Sequence, residues 1–233
     1  MKDILVRSGL CGVVMLGMFS CAVSIQANDE DNARVSIQGR DVFLDGRPHI
    51  PHGMVHAANE HFPSLSKIGI NSIHEDVAFR DFDPRRSDEE NKAALARYLK
   101  KADEAHANGM TMLWLFSFHY TPDWLWERYP DAHAKKQDGS DGQGGWISMC
   151  LDHPGFRTDA AAWLKFVASN LGSHPATLGY LLWNEPHLTS EICYNAHTIA
   201  AFHKWLEKCY QTVETMNKAW QAQFAAFTDV KPP

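Results

Sequence analysis

The stretch GYLLWNEPH, Gly179 to His187, carries an apolar run directly into a carboxylate held between an amide and a proline. A glutamate is costly to bury without partners, so Glu185 either meets water where the segment ends or is delivered into a pocket. In a pocket, partial desolvation raises a carboxyl pKa and lets the group donate a proton near neutral pH. Asn184 beside it offers an amide able to grip a substrate hydroxyl. Acid, amide and an aromatic floor suit cleavage of a glycosidic bond, which needs one carboxyl to protonate the leaving oxygen and a second on the other side of the sugar. His187, His119 and His74 stand at or near the ends of apolar runs and are candidate substrate-binding residues. Trp124 and Trp126, in the connection after MTMLWLFSFHY, are candidate stacking surfaces for a sugar ring. Trp183 points opposite to Asn184 by strand alternation, so packing between sheet and helices is its expected role.

These groups need elements to position them. VSIQGRDVFLDGRPHIP reads as a hairpin with Asp45-Gly46 as its turn. Ile50–His56 and Ile70–Val77 read as a first and second core strand. SDEENKAALARYLKKADEAHANG is a helix opened by the capping box of Ser87 and Glu90 and closed by Gly109. Met110–Tyr120 is a third strand, apolar as a strand covered on both faces should be. The helix DAAAWLKFVASNLG, the strand LGYLLWNEP and the helix AHTIAAFHKWLEKCY complete the alternation. Buried parallel strands alternating with helices mean an α/β fold, doubly wound or a (β/α)8 barrel. The barrel is favoured because no Gly-rich phosphate loop joins a strand to a helix. It is also favoured because four strands end in polar groups: His52 and His56, His74 and Glu75, His119 and Tyr120, then Asn184, Glu185 and His187. Barrel enzymes place their chemistry at that end. Glu75 itself reads as a solvated loop acid.

Composition limits the alternatives. The chain has 233 residues, 45% hydrophobic and 21% charged, as an ordinary globular protein has. A formal net charge of −6 gives no general attraction to nucleic acid or anionic membranes. Thirteen histidines and eight tryptophans are many for this length, and the tryptophans could serve a sugar-like ligand or the core equally well. Lys2 and Arg7 precede the apolar stretch Leu10–Val23, which is too short to span a bilayer as a mature helix. Ala22 and Ser24 could mark a cleavage site, so residues 1–27 read as a signal peptide and the protein as exported, periplasmic or secreted. MFSC offers a second route, lipid anchoring through Cys21. Residues 28–49 then form the leading hairpin and 50–233 a partial barrel. Cys150, Cys193 and Cys209 remain in the mature part, an odd number that suggests one disulfide and one buried thiol.

The ordered series KIGINSI, TPDWLWERYPD, SMCLDHPGFR, HPATLGYLLWNEPH and CYNAHTIAAFHKWLEKCYQTVETMNKAW resembles glycoside hydrolase family 42, the β-galactosidase type. It runs from about Ile50 to the C-terminus. The resemblance implies a retaining glycosidase with Glu185 as general acid/base and Asn184 on the sugar, acting on an oligo- or polysaccharide without a cofactor. It also implies a zinc-binding cysteine cluster, of which Cys150 and Cys193 match two positions while Asn195 and Thr198 occupy the others. No metal is therefore expected, and a Cys150–Cys193 disulfide is the alternative. An arginine common near the second strand end is replaced by His74.

About four strand–helix units occupy the chain, where a closed barrel needs about eight. The expected fold is the N-terminal half of a (β/α)8 barrel. In this family the nucleophile is a glutamate on the seventh strand, so the chain is expected to need a missing C-terminal half-barrel. Alone, it should be inactive and self-associating. A second reading, from a different class, is a non-catalytic carbohydrate-binding or assembly protein that closes the half-barrel by forming a homo-oligomer.

Overall fold

Turn chemistry builds the first element. The computed structural model describes residues 34–142, 148–184 and 193–232, and contacts divide the chain into two units, Met1–His49 and Ile50–Pro233. In the first, strands β1 (Val35–Gln38), β2 (Asp41–Leu44) and β3 (Arg47–Pro48) form an antiparallel sheet, with Val35 opposite Leu44 and Phe43 opposite Pro48. Asp45 and Gly46 both have positive φ, 50° and 72°, as the tight turn between β2 and β3 demands. A second turn at Gly39 adds a strand, so the expected hairpin is a three-stranded meander.

The second unit alternates strand and helix. Strands β4 (Gly53–Val55), β5 (Ser72–Ala78), β6 (Thr111–Ser117) and β7 (Thr177–Leu182) lie side by side in that order, every pair parallel. Helix α1 (Phe62–Lys67) follows β4 and α2 (Asp88–Ala107) follows β5. Helices α3 (Asp123–Arg128) and α4 (Pro154–Leu171) follow β6, and α5 (Ala196–Tyr210) and α6 (Val213–Trp220) follow β7. This is the pattern of half a (β/α)8 barrel, with a small antiparallel sheet before it.

Local chemistry sets the helix ends. Ser87 Oγ accepts the Glu90 N–H at 3.3 Å and the Glu90 carboxylate accepts the Ser87 N–H at 2.9 Å, forming the capping box of α2. Gly109, at φ 68°, turns the chain out of α2 toward β6. Helix α4 opens on Pro154, with His153 Nδ1 accepting the Phe156 N–H at 3.2 Å.

The core lies between sheet and helices. Ile73 and Val77 of β5 and Met112, Trp114 and Phe116 of β6 are buried with Leu95, Tyr98 and Ala102 of α2 and Trp163 and Val167 of α4. Trp114 meets Tyr98 edge-on at 6.3 Å and Phe116 meets Trp163 at 5.5 Å. Tyr180 of β7 stacks on Phe116 at 5.0 Å. Burying a side chain such as Phe79 contributes roughly 2–3 kcal/mol.

Two sequence expectations are corrected by this packing. Glu75 is neither a loop acid nor at a strand end: β5 continues to Ala78, and Glu75 turns to the helix side to pair with Lys101 of α2. The two side chains are only 18% and 14% exposed. Trp124 is a core residue, 6% exposed, with its indole N–H donating to the Phe82 carbonyl at 2.8 Å and its ring edge-on to Phe79 at 5.4 Å. No sugar can stack on it as it stands. Trp126 is half-buried and lies flat against His133, 3.9 Å away and within 7° of parallel.

Trp124→Ala should destabilise the chain by about 3–5 kcal/mol, the range for truncating a buried tryptophan. Trp126→Ala should cost much less, and urea unfolding of the two variants measures the difference. Lys101→Met strands a buried carboxylate and should cost about 3–5 kcal/mol, whereas adding Glu75→Leu should return most of that loss. Additive losses in the double mutant would remove the ion pair as the reason for Glu75's place.

Candidate active site

Parallel strands put all four C-terminal ends on one edge of the sheet, and the polar residues gather there. The chain leaves β4 through His56, β6 through His119 and Tyr120, and β7 through Trp183 and Asn184. Three of these residues, His56, Tyr120 and Trp183, have left-handed φ values of 53°, 61° and 70°. Such a backbone costs a non-glycine residue about 1–3 kcal/mol and concentrates at sites where geometry matters. The other positive-φ non-glycine residues described, Asp45, Gln211 and Gln221, lie at turns or helix ends.

The turn at Trp183 separates two directions. Its ring packs on Phe118 at 5.2 Å, against the core as expected, but it gets there through this turn beyond the end of β7 and not by strand alternation, which would have sent it to the other face. Asn184 is left exposed, and its backbone carbonyl lies 3.2 Å from His119 Nε2. Since a carbonyl only accepts, His119 donates from Nε2. Two candidates far apart in sequence are thus held together at the ends of β6 and β7. Glu185 and His187 lie outside the described residues.

His74 is placed differently from expectation. It lies inside β5, and because Glu75 faces the helices, Ser72, His74 and Asp76 share the opposite, inner face. His56 stacks over His74 with ring centres 6.2 Å apart. Asp76 Oδ1 lies 3.8 Å from His56 Nε2 and 3.9 Å from His74 Nε2, too far for hydrogen bonds. Ser72 Oγ, His74 Nε2 and Asp76 Oδ1 are buried without a hydrogen-bond partner among the described residues, a polar stripe along the inner face of one strand. The spacing Ser-x-His-x-Asp was the signal for that stripe. Arg80, just beyond β5, lies 5.3 Å from the Tyr120 ring and bridges the ends of β5 and β6.

A second polar cluster joins the loop before α4 to the start of α5. Asn195 donates from Nδ2 to the carbonyls of Asp131 and His133, both at 2.8 Å, and its Oδ1 accepts the His197 N–H at 3.0 Å. Tyr194 N–H donates to the Lys135 carbonyl at 2.7 Å. Asp131 lies 3.2 Å from His153 Nε2 and 3.3 Å from His197 Nε2. The hydrogen bond from His197 is the main reason the Asp131 carboxyl is held below the usual carboxylate range.

These three groups are close enough to share a cation, but their protons argue otherwise. His153 Nδ1 already accepts the Phe156 N–H, so the proton of the neutral ring sits on Nε2 and points at Asp131. Binding a metal through Nε2 would require moving that proton to Nδ1, which breaks the hydrogen bond from the Phe156 N–H, or losing it altogether. The arrangement is a His–Asp–His hydrogen-bond chain.

Nor do the four positions where the resemblance places zinc ligands fit zinc. Asn195 has spent its amide, and Thr198 Oγ1 is 3.2 Å from Cys150 Sγ. Two thiols remain where a closed structural site needs four donors. Cys150, Cys193 and Cys209 are all free thiols in this structure, so the expected Cys150–Cys193 disulfide is not formed here. The odd thiol, Cys209, is exposed rather than buried.

Comparison with known proteins bears on the family and the fold. The family model for glycoside hydrolase 42, described as β-galactosidase, matches residues 52–233. The β-galactosidase YesZ of Bacillus licheniformis is 35% identical over 102 residues, 42% of this chain and 15% of that protein. Among solved structures, a β-galactosidase from the psychrophilic Marinomonas ef1 superposes with a TM-score of 0.62 at 22% identity, covering 77% of this chain and 29% of that one. An exo-carrageenase of the same family from Bacteroides ovatus gives 0.63 at 18% identity, covering 86% and 27%. These structural likenesses establish the fold, and the chain spans less than a third of each of these proteins. With the family model matched over residues 52–233, most of its length, this chain belongs to glycoside hydrolase family 42.

Proposed function

We propose that this chain supplies the acid/base half of a retaining glycosidase site, with Glu185 as proton donor and Asn184 as the ligand of a sugar hydroxyl. The observation that carries the proposal is the His119–Asn184 contact at the C-terminal edge of the sheet. It ties down the backbone of residue 184 while its amide stays exposed, and Glu185 is the next residue. In a retaining reaction, Glu185 would protonate the glycosidic oxygen as the bond breaks and then deprotonate the incoming water. The nucleophilic carboxylate, about 5–5.5 Å away in such sites, would come from sequence outside these four strand–helix units. The named relatives being several times longer supports that division. Their names point to β-galactosides or related galactose-containing glycans as the substrate class.

The inner-face groups His74 and Asp76 then lie beneath the sugar site, with His56 at the end of the neighbouring strand, and the atoms His74 Nε2 and Asp76 Oδ1, which have no hydrogen-bond partner among the described residues, suit a ligand rich in hydroxyls. Trp126 remains the stacking candidate. Export is part of the same proposal, supported by Lys2, Arg7 and the apolar stretch Leu10–Val23. Among the described residues no helix is long and apolar enough to cross a membrane.

The test uses the enzyme that contains this chain together with its second carboxylate. Glu185→Gln should lower hydrolysis of glycosides with poor leaving groups by roughly 10²–10⁴-fold, the usual worth of general acid–base help. Dinitrophenyl glycosides, which need little protonation, should lose far less in the first step. Equal losses on both substrates would exclude the acid role. The 233-residue chain alone should not cleave aryl β-galactosides, and turnover by that chain would overturn the division of the site.

A further inference from the structure

The short 3-10 turn Phe79–Asp81 after β5 sends three neighbouring side chains in three directions. Phe79 enters the core, and Asp81 pairs with Arg97 and accepts the Tyr98 hydroxyl at 2.6 Å. Arg80, between them, is exposed and makes no hydrogen bond or ion pair among the described residues. In the same unit Arg85, Arg97, Arg128 and Arg157 each face a carboxylate. What Arg80 does touch is the Tyr120 ring, with its guanidinium carbon 5.3 Å from the ring centre.

Tyr120 holds a backbone that bulky residues rarely adopt. Glycine or asparagine would take φ 61° with less strain, so the ring itself needs a reason. Core packing is not that reason, because the residue is 58% exposed. A guanidinium over an aromatic ring is attracted to it and only weakly hydrated, while its N–H edges stay open to a second partner. His119 meets the Tyr120 ring edge-on at 6.4 Å and holds the Asn184 carbonyl at 3.2 Å. Arg80, Tyr120, His119 and Asn184 therefore form one row across the ends of β5, β6 and β7. Two strand spacings amount to roughly 10 Å, more than the breadth of one pyranose ring. A glycan with one sugar at Asn184 thus brings its neighbouring sugar to Tyr120 and Arg80.

We propose that Arg80, supported by Tyr120, is a specificity-determining residue that receives an anionic substituent, a sulfate or a carboxylate, on the sugar next to the one at Asn184. The proposal rests on the glycosidase reading for where the glycan lies. A neutral sugar needs no fixed positive charge, whereas an oxyanion can take two parallel N–H bonds from a guanidinium. The protein's net charge of −6 exerts no general pull on anions, so the selection is local. Asp81 does not cancel Arg80, because its carboxylate is turned to Arg97 and Tyr98.

The test reads binding rather than turnover, so its result stands whether or not Glu185 is the acid. The enzyme that contains this chain together with its second carboxylate is titrated calorimetrically with three thio-linked galactose trisaccharides, which resist hydrolysis. One is neutral, one O-sulfated and one carries a uronic acid. An acidic ligand should bind roughly 10–100-fold tighter than the neutral one, the range for hydrogen bonds to a charged group, and whichever does so identifies the anion. Added sodium chloride should shrink the difference. Arg80→Gln should abolish it, and Arg80→Lys should keep part of it, since the charge remains and the fork is lost. Tyr120→Leu should narrow it by removing the ring that supports the guanidinium. Equal binding of all three ligands, weak or strong, or an acidic preference that survives Arg80→Gln, would overturn the proposal.

Discussion

The strand ends are held in place by one set of aromatic contacts. Trp163 of α4 meets Phe79 after β5 at 5.2 Å, Phe116 at the end of β6 at 5.5 Å and Phe118 just beyond it at 4.9 Å. Phe118 in turn touches Trp183 after β7 at 5.2 Å. Phe156, two turns earlier on the same face of α4, packs on both Phe79 and Phe118 at 5.9 Å. Edge-on ring pairs are worth about 0.5–1.5 kcal/mol each beyond the area they bury. Their larger effect is geometric. Three strand ends are clamped to one helix by rigid groups, so the residues beyond them start from fixed positions, as a preorganised site requires.

That clamp makes the left-handed residues at the strand ends affordable. A tryptophan at φ 70° is strained, yet turning Trp183 onto Phe118 buries its ring and leaves Asn184 exposed on the other side. The same reversal brings the Asn184 carbonyl to His119. His56 and Tyr120 show the same backbone where β4 and β6 end. Strain, packing and the exposed amide are therefore one feature: the core supplies the energy that bends the backbone at the strand end where the proposed site begins.

The link between α4 and α5 illustrates a different solution to fixing a loop. A single asparagine makes three hydrogen bonds there, and the Asp131–His153–His197 chain adds two more from groups at both helix starts. Directional hydrogen bonds can hold such a crossing without a metal because each donor has an acceptor, a backbone carbonyl, the Asn195 amide oxygen or the Asp131 carboxylate, within 3.3 Å. Thr198 completes the change by facing Cys150 with a hydroxyl.

The sequence by itself determined the elements whose signals are local. The capping box of α2, the Asp45-Gly46 turn, the apolar run of β6 and the alternation of strand with helix are each carried by neighbouring residues, and so is the placing of Asn184 just past a strand. Family membership was also legible, because ordered motifs survive where overall identity is low. Residue fates that depend on distant partners could be settled only by the tertiary structure. Glu75 reads as an acid near a strand end until Lys101, on another element, draws it to the helix side. Trp124 reads as a loop residue until the Phe82 carbonyl and the Phe79 ring enclose it. The inner stripe of Ser72, His74 and Asp76 acquires its meaning only once the helix side of β5 is known, since alternation defines two faces but not which one is filled.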